Sequence, residues 1–141
     1  MNAEVLGIEE PKVVFQPKEF FFTPTTWAAL SERGTTIAVN RDIDFDGKPD
    51  ILLAISHEMR HLWQMRTGKI SKNYSPSDNS NLQKYNLQWE EIDANAWAVE
   101  MVEHFLKVTP LLEKTLGAEV WAKIRERQAE IRKGLIEGKL V

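Results

Sequence analysis

Residues 49–66 read PDILLAISHEMRHLWQMR, and the way this stretch folds decides how the rest of the chain is read. Pro49 suits the first turn of a helix, where its missing N–H costs nothing, and Gly68 suits the point just beyond its end. The helix predicted between them, 49–66, carries Ile51, Leu52, Leu53, Ala54, Ile55, Met59, Leu62, Trp63 and Met65 on nearly every side. That is the pattern of a helix buried in the middle of a domain. His57, Glu58 and His61 interrupt this apolar surface. Four residues advance a helix by ~6 Å and turn it by about 400°, so the two imidazoles leave one face, one turn apart. Polar groups on a buried helix are costly unless something satisfies them.

The HExxH spacing offers that something. Two imidazoles one turn apart can share a tetrahedral zinc ion, and the carboxylate beside the first of them reaches a water on the open position instead of the metal. Glu58 therefore stands where a general base is needed. The plainer alternative is two core histidines bonded to backbone, with Glu58 at the surface by accident. A third ligand would favour the metal. The sequence has no cysteine, and Gln64 and Thr67 occupy the places where an HExxHxxGxxH site needs glycine and histidine.

Attention moves to carboxylates. A helix predicted over 87–109 repeats Ala94, Trp97, Ala98, Met101, Val102 and Phe105 at three- and four-residue spacing until Pro110. Glu91 extends that stripe backward by one turn, which puts an acid on the buried face and makes it the first candidate ligand. Asn95 lies one turn further on the same face, where its amide oxygen can accept the second ring N–H of a ligating histidine. Glu90, and after it Asp93, stay open as alternatives, since any acid in a first helical turn is also favoured by the helix dipole. His104 falls on the far side of this helix from Glu91.

These residues resemble the gluzincin metallopeptidases, whose HExxH helix is followed by a second helix with a glutamate ligand in an E-x-x-A-(D/N)-x-(F/W)-A setting. Glu91, Ala94, Asn95, Trp97 and Ala98 match that setting, and the similarity covers about Thr35 to Phe105. Within the group, the small size and the asparagine look like ImmA/IrrE-like and minimal peptidases of phages and mobile elements. The resemblance implies a zincin-like α/β (α+β) single domain over 1–141, with a small sheet whose edge strand lies beside the buried HExxH helix, plus two further helices. It implies one Zn2+ per chain on His57, His61 and Glu91, and hydrolysis of peptide bonds with Glu58 taking a proton from water. The TTIAVN strand (Thr35 to Asn40) would be the edge strand that pairs with an extended protein or peptide substrate. Tyr85 and Tyr74 are candidates for stabilising the oxyanion, although a loop tyrosine is more often packing. A non-catalytic module that holds a protein partner is the rival reading, and a zinc hydrolase of another class is a third.

Outward from these helices, Val13 to Phe22 mix β-branched and aromatic residues around Pro17, which predicts one edge strand or two short pieces within an N-terminal segment 1–48. Thr25 or Thr26 can cap a short helix through Leu30 and Glu32, closed by Gly34. Residues 67–86 are polar and long enough to form a lid. A last amphipathic helix is predicted within 111–138, carrying Val120, Ile124, Ile131 and Leu135. Its Lys123, Arg125, Arg127, Arg132 and Lys133 read as a solvated face. Asp42, Asp44 and Asp46 start like a calcium loop, but Leu53 stands where its bidentate glutamate should be, so a Ca2+ site is not expected. Five tryptophans read as core.

The composition sets outer limits. At 141 residues with 43% hydrophobic and 28% charged side chains, the chain suits one globular domain. A net charge of -3 gives no basic field for nucleic acid. No apolar run is long enough for a membrane span, and MNAEVLGIEEPK has no signal-peptide pattern, so cytoplasmic residence is expected.

Overall fold

The HEMRH segment forms helix α2 (Lys48–Arg66) in the computed structural model, which describes residues 2–31, 33–45, 47–75, 81–110 and 112–141. Pro49 lies in the first turn as expected, and Gly68, at φ +68, turns the chain so that the Lys69 N–H reaches the Gln64 carbonyl at 2.8 Å. A left-handed residue after the last turn satisfies carbonyls the helix leaves open. Along α2 packs α4 (Trp89–Leu106), and α6 (Ala118–Ile136) packs against α4 in turn. Trp97, Val99 and Val102 of α4 and Ile124 and Ile131 of α6 are almost wholly buried. Three shorter helices complete the set among the described residues: α1 (Asn2–Leu6), α3 (Leu82–Asn86) and α5 (Glu113–Leu116).

The remaining layer is a three-stranded sheet of β1 (Lys12–Gln16), β2 (Ala28–Leu30) and β3 (Thr36–Asn40) in the order β1-β3-β2. β1 runs parallel to β3 and β2 antiparallel to it. The domain is thus mixed α and β. No helix among the described residues is long and apolar enough to cross a membrane.

Several expectations need correction. TTIAVN is the central strand, with Ile37 to Asn40 buried, and not the edge beside the site; that edge is β2. The short helix expected up to Leu30 is replaced by β2, and Glu32 lies outside the described residues. A helix of that length is marginal by itself, whereas pairing with β3 satisfies the backbone, and Gly34 at φ +67 turns the hairpin with its N–H on the Ser31 carbonyl. The Asn40 amide also donates to the carbonyls of Pro24 and Thr26, which holds the approach to β2 against β3. Pro17 ends β1, and a 3-10 turn follows at Lys18–Phe20. Gly117, at φ +91, splits the single helix expected over 111–138 into α5 and α6; Leu111 lies outside the described residues. Met65 of α2 is exposed, and so are Trp27 and Trp89, while Trp63 and Trp97 are core. A charged residue, Arg60, takes an interior place on α2 that the apolar pattern had not assigned to it.

Candidate metal centre

Helices α2 and α4 bring His57, His61 and Glu91 together, one ligand atom from each lying within 4.8 Å of the others. The His57 Nε2 is 3.0 Å from the His61 Nε2. Glu91 straddles the pair, with Oε1 3.3 Å from His57 Nε2 and Oε2 2.8 Å from His61 Nε2. Donors about 2.0–2.1 Å from a tetrahedral zinc ion stand roughly 3.3 Å apart, so this set needs shifts of only a few tenths of an ångström. Among the described residues it is the one group of three or more such side chains that could hold a metal ion.

The far sides of both rings are fixed. The His57 Nδ1 lies 2.8 Å from Asn95 Oδ1 and the His61 Nδ1 2.9 Å from Gln64 Oε1. An amide oxygen only accepts, so each Nδ1 is the donor in its bond and each Nε2 is left to face the other ring and the Glu91 carboxylate. Two ring nitrogens turned toward each other call for a positive charge between them and the carboxylate. Burial works against a charged His61, yet the bond and charge of Glu91 outweigh it and raise the His61 pKa to about 9. Burial likewise opposes the Glu91 carboxylate, but the two histidines hold it well below the usual range. The donor set therefore fits a divalent cation.

Glu58 stands beside the cluster at the edge of β2. The Ser31 N–H bonds to the Thr36 carbonyl and the Asn40 N–H to the Trp27 carbonyl, so the backbone groups of Ala28 and Leu30 face away from β3. The Leu30 N–H donates to the Glu58 carboxylate. Burial pushes the Glu58 pKa up, the charges of His57 and His61 pull against it, and Glu91 adds to the rise. Two depressions, of about 430 and 250 Å³, meet at Ala28, Glu58 and Tyr85 and run to either side along β2.

The polar segment after α2 lies on the start of α4. Tyr74 donates its hydroxyl to Glu91 Oε2 at 2.6 Å, and Tyr85 of α3 also bonds Glu91. Burial first, then the Glu91 charge, raises both phenols far above their ordinary value, so both keep their protons and act as donors. Residues 76–80 of the expected lid lie outside the described residues.

The remaining candidates go elsewhere. Glu90 is buried but accepts the Ser71 N–H, and Asp93 sits in an ion cluster with Arg60 and Arg127. His104 lines a separate cavity of about 480 Å³ between α4 and α6. Asp42 accepts the Lys18 N–H, and Asp46 lies outside the described residues. The arginines of α6 are not a free basic face: Arg125 pairs with Glu103, Arg127 with Asp93 and Glu130, and Arg132 with Glu100 and Glu103. Gln64 marks in the sequence the place of an absent glycine, and its spacing of three from His61 is the signal that points to the bond between them.

Comparison with models of known families, with curated proteins and with solved structures finds no match to this chain.

Proposed function

We propose that the protein is a zinc-dependent metallopeptidase that cleaves internal bonds of extended polypeptides. One observation carries the reading: a His57, His61 and Glu91 donor set with its outer ring nitrogens already bonded, and a fourth polar group, Glu58, beside it in an open cleft. These features support the resemblance to gluzincins and a zincin-like fold. His57, His61 and Glu91 would hold the ion, and zinc so bound supplies Lewis acidity toward water and carbonyl oxygen.

The chain's own groups divide the remaining work. Glu58, with its pKa raised by burial, accepts a proton from water and delivers it to the departing amine. Tyr85 and Tyr74, protonated and bonded to Glu91, would turn an O–H from that carboxylate to the substrate oxygen as charge develops there. The outward amides of β2 can pair with an extended chain, the role expected of TTIAVN and transferred here to the true edge. Side chains such as Phe22, Thr26, Leu30 and Leu82 line the larger depression and would select apolar groups. The proposal places the enzyme in the cytoplasm, a setting that the cysteine-free sequence suits.

The test is metal analysis joined to two variants. The purified protein should carry zinc near one per chain, falling sharply in His57→Ala. Glu58→Gln should retain the zinc and lose cleavage of an unfolded protein. Equal cleavage by Glu58→Gln rules out the mechanism, and a zinc-bearing protein that cleaves nothing in either form is a binding module instead.

A further inference from the structure

Gln64 is fully buried and has no freedom in how its amide lies. Its Nε2 is 2.9 Å from Asp93 Oδ2 and 3.0 Å from the Glu90 carbonyl oxygen, so both amide protons are spent on acceptors. Turned over, the amide would put its oxygen against a carboxylate and a carbonyl. The oxygen must therefore face His61 Nδ1, which lies 2.9 Å away. Asp93 is equally constrained. It is fully buried and takes Nε and Nη2 of Arg60 at 2.7 and 3.0 Å and Nε of Arg127 at 2.8 Å. Arg60 in turn stacks its guanidinium 3.8 Å from the Trp63 ring. A rigid chain of contacts thus runs from Arg127 on α6 through Asp93 on α4 and Gln64 on α2 to one candidate ligand.

We propose that Gln64 is a positioning residue for the metal centre: clamped by Asp93 and the Glu90 carbonyl, it keeps the proton of His61 on Nδ1 and commits Nε2 to the ion. The inference rests on the metal site proposed above. It gives His61 the kind of support that Asn95 gives His57, and it ties the last helix to the site through Arg127. Outer partners of ligating histidines are commonly worth about 10–100-fold in metal affinity.

Zinc affinity of the folded protein, by competition with a chromophoric chelator, reads this directly. Gln64→Met should keep the far-ultraviolet circular dichroism of the parent and bind zinc about 10–100-fold more weakly. Gln128→Met is the control. Gln128 is also a buried amide, bonded to Glu100 and Glu103 away from the site, and its loss should leave zinc affinity unchanged. Affinity of folded Gln64→Met within threefold of the parent, or an equal loss in Gln128→Met, overturns the inference while leaving the metal site standing. A parent protein that binds no zinc overturns both. Should Gln64→Met not fold, the unaltered protein decides: loaded with 113Cd and 15N-labelled, it should show a retained His61 Nδ1–H and cadmium coupling to Nε2. Coupling to Nδ1, or absence of that proton, overturns the assignment.

Discussion

Replacing Asp93 by asparagine removes one charge and almost no volume from the interior, so the electrostatic effect stands apart from packing. Asp93 accepts four hydrogen bonds at 2.7 to 3.0 Å, and its main partner, Arg60, is 0% exposed. The Nη1 of Arg60 has no partner and its Nη2 also donates to the Val141 oxygen, so among the described residues Asp93 is the one carboxylate side chain paired with this guanidinium. Removing one member of a buried pair leaves the other charge out of water and uncompensated, typically about 3–5 kcal/mol. With unfolding entropy of about 2.1 cal/mol/K per residue, 141 residues lose one degree of Tm for every ~0.3 kcal/mol, so the expected fall is about 10–17 °C. Urea and thermal unfolding followed by circular dichroism measure both quantities. Arg132→Ala provides the contrast: its side chain is 49% exposed, and its pairs with Glu100 and Glu103 should be worth no more than about 1 kcal/mol. A loss of under about 1 kcal/mol in Asp93→Asn, no larger than in Arg132→Ala, would refute the idea that this cluster anchors the three long helices.

The same residue sets an acid limb. Burial disfavours its charge, but bonds from Arg60 outweigh that and hold its pKa below the ordinary value. A depressed carboxylate contributes stability that is present above about pH 4 and lost as pH falls through the folded value; urea midpoints should drop over that window less steeply in Asp93→Asn than in the parent. Gly34→Ala and Gly68→Ala both force alanine into the left-handed region, at about 1–2 kcal/mol, yet a Cβ at Gly34 meets Leu62 Cδ1 at 2.5 Å while Gly68 has nothing within 4 Å. Equal losses in the two variants would show that the Leu62 contact relaxes freely. For the proposed peptidase, Tyr85→Phe should lower kcat by about 100-fold with zinc content unchanged; steady-state kinetics that move KM alone would assign Tyr85 to substrate binding.

The site was legible because its grammar is local. His57 and His61 are one turn apart on one helix, as Glu91 and Asn95 are on another, and helical geometry alone sets the relative directions within each pair. Which acid of Glu90, Glu91 and Asp93 faces the histidines was narrowed by the apolar stripe and separated by tertiary packing: the three point to a backbone amide, to the imidazoles and to Arg60. What stayed hidden depends on partners far away in the chain. Three residues at Ala28–Leu30 carry no alternation to read, and only pairing with β3 makes them a strand. Strand order is equally non-local, which is why TTIAVN could be read as a strand but not as the middle one. Arg60 could pass for a surface residue until Asp93 and Arg127 arrive from two other helices.

Strand β2 offers outward amide groups from only two residues, and one of its N–H groups is already given to Glu58. A guest chain laid along it would find two or three main-chain partners, at about 1 kcal/mol each. Immobilising two molecules together costs about 4–15 kcal/mol. So short a rail can align a visitor without retaining it, and its grip would have to come from whatever side chains drop into the hollows at either end.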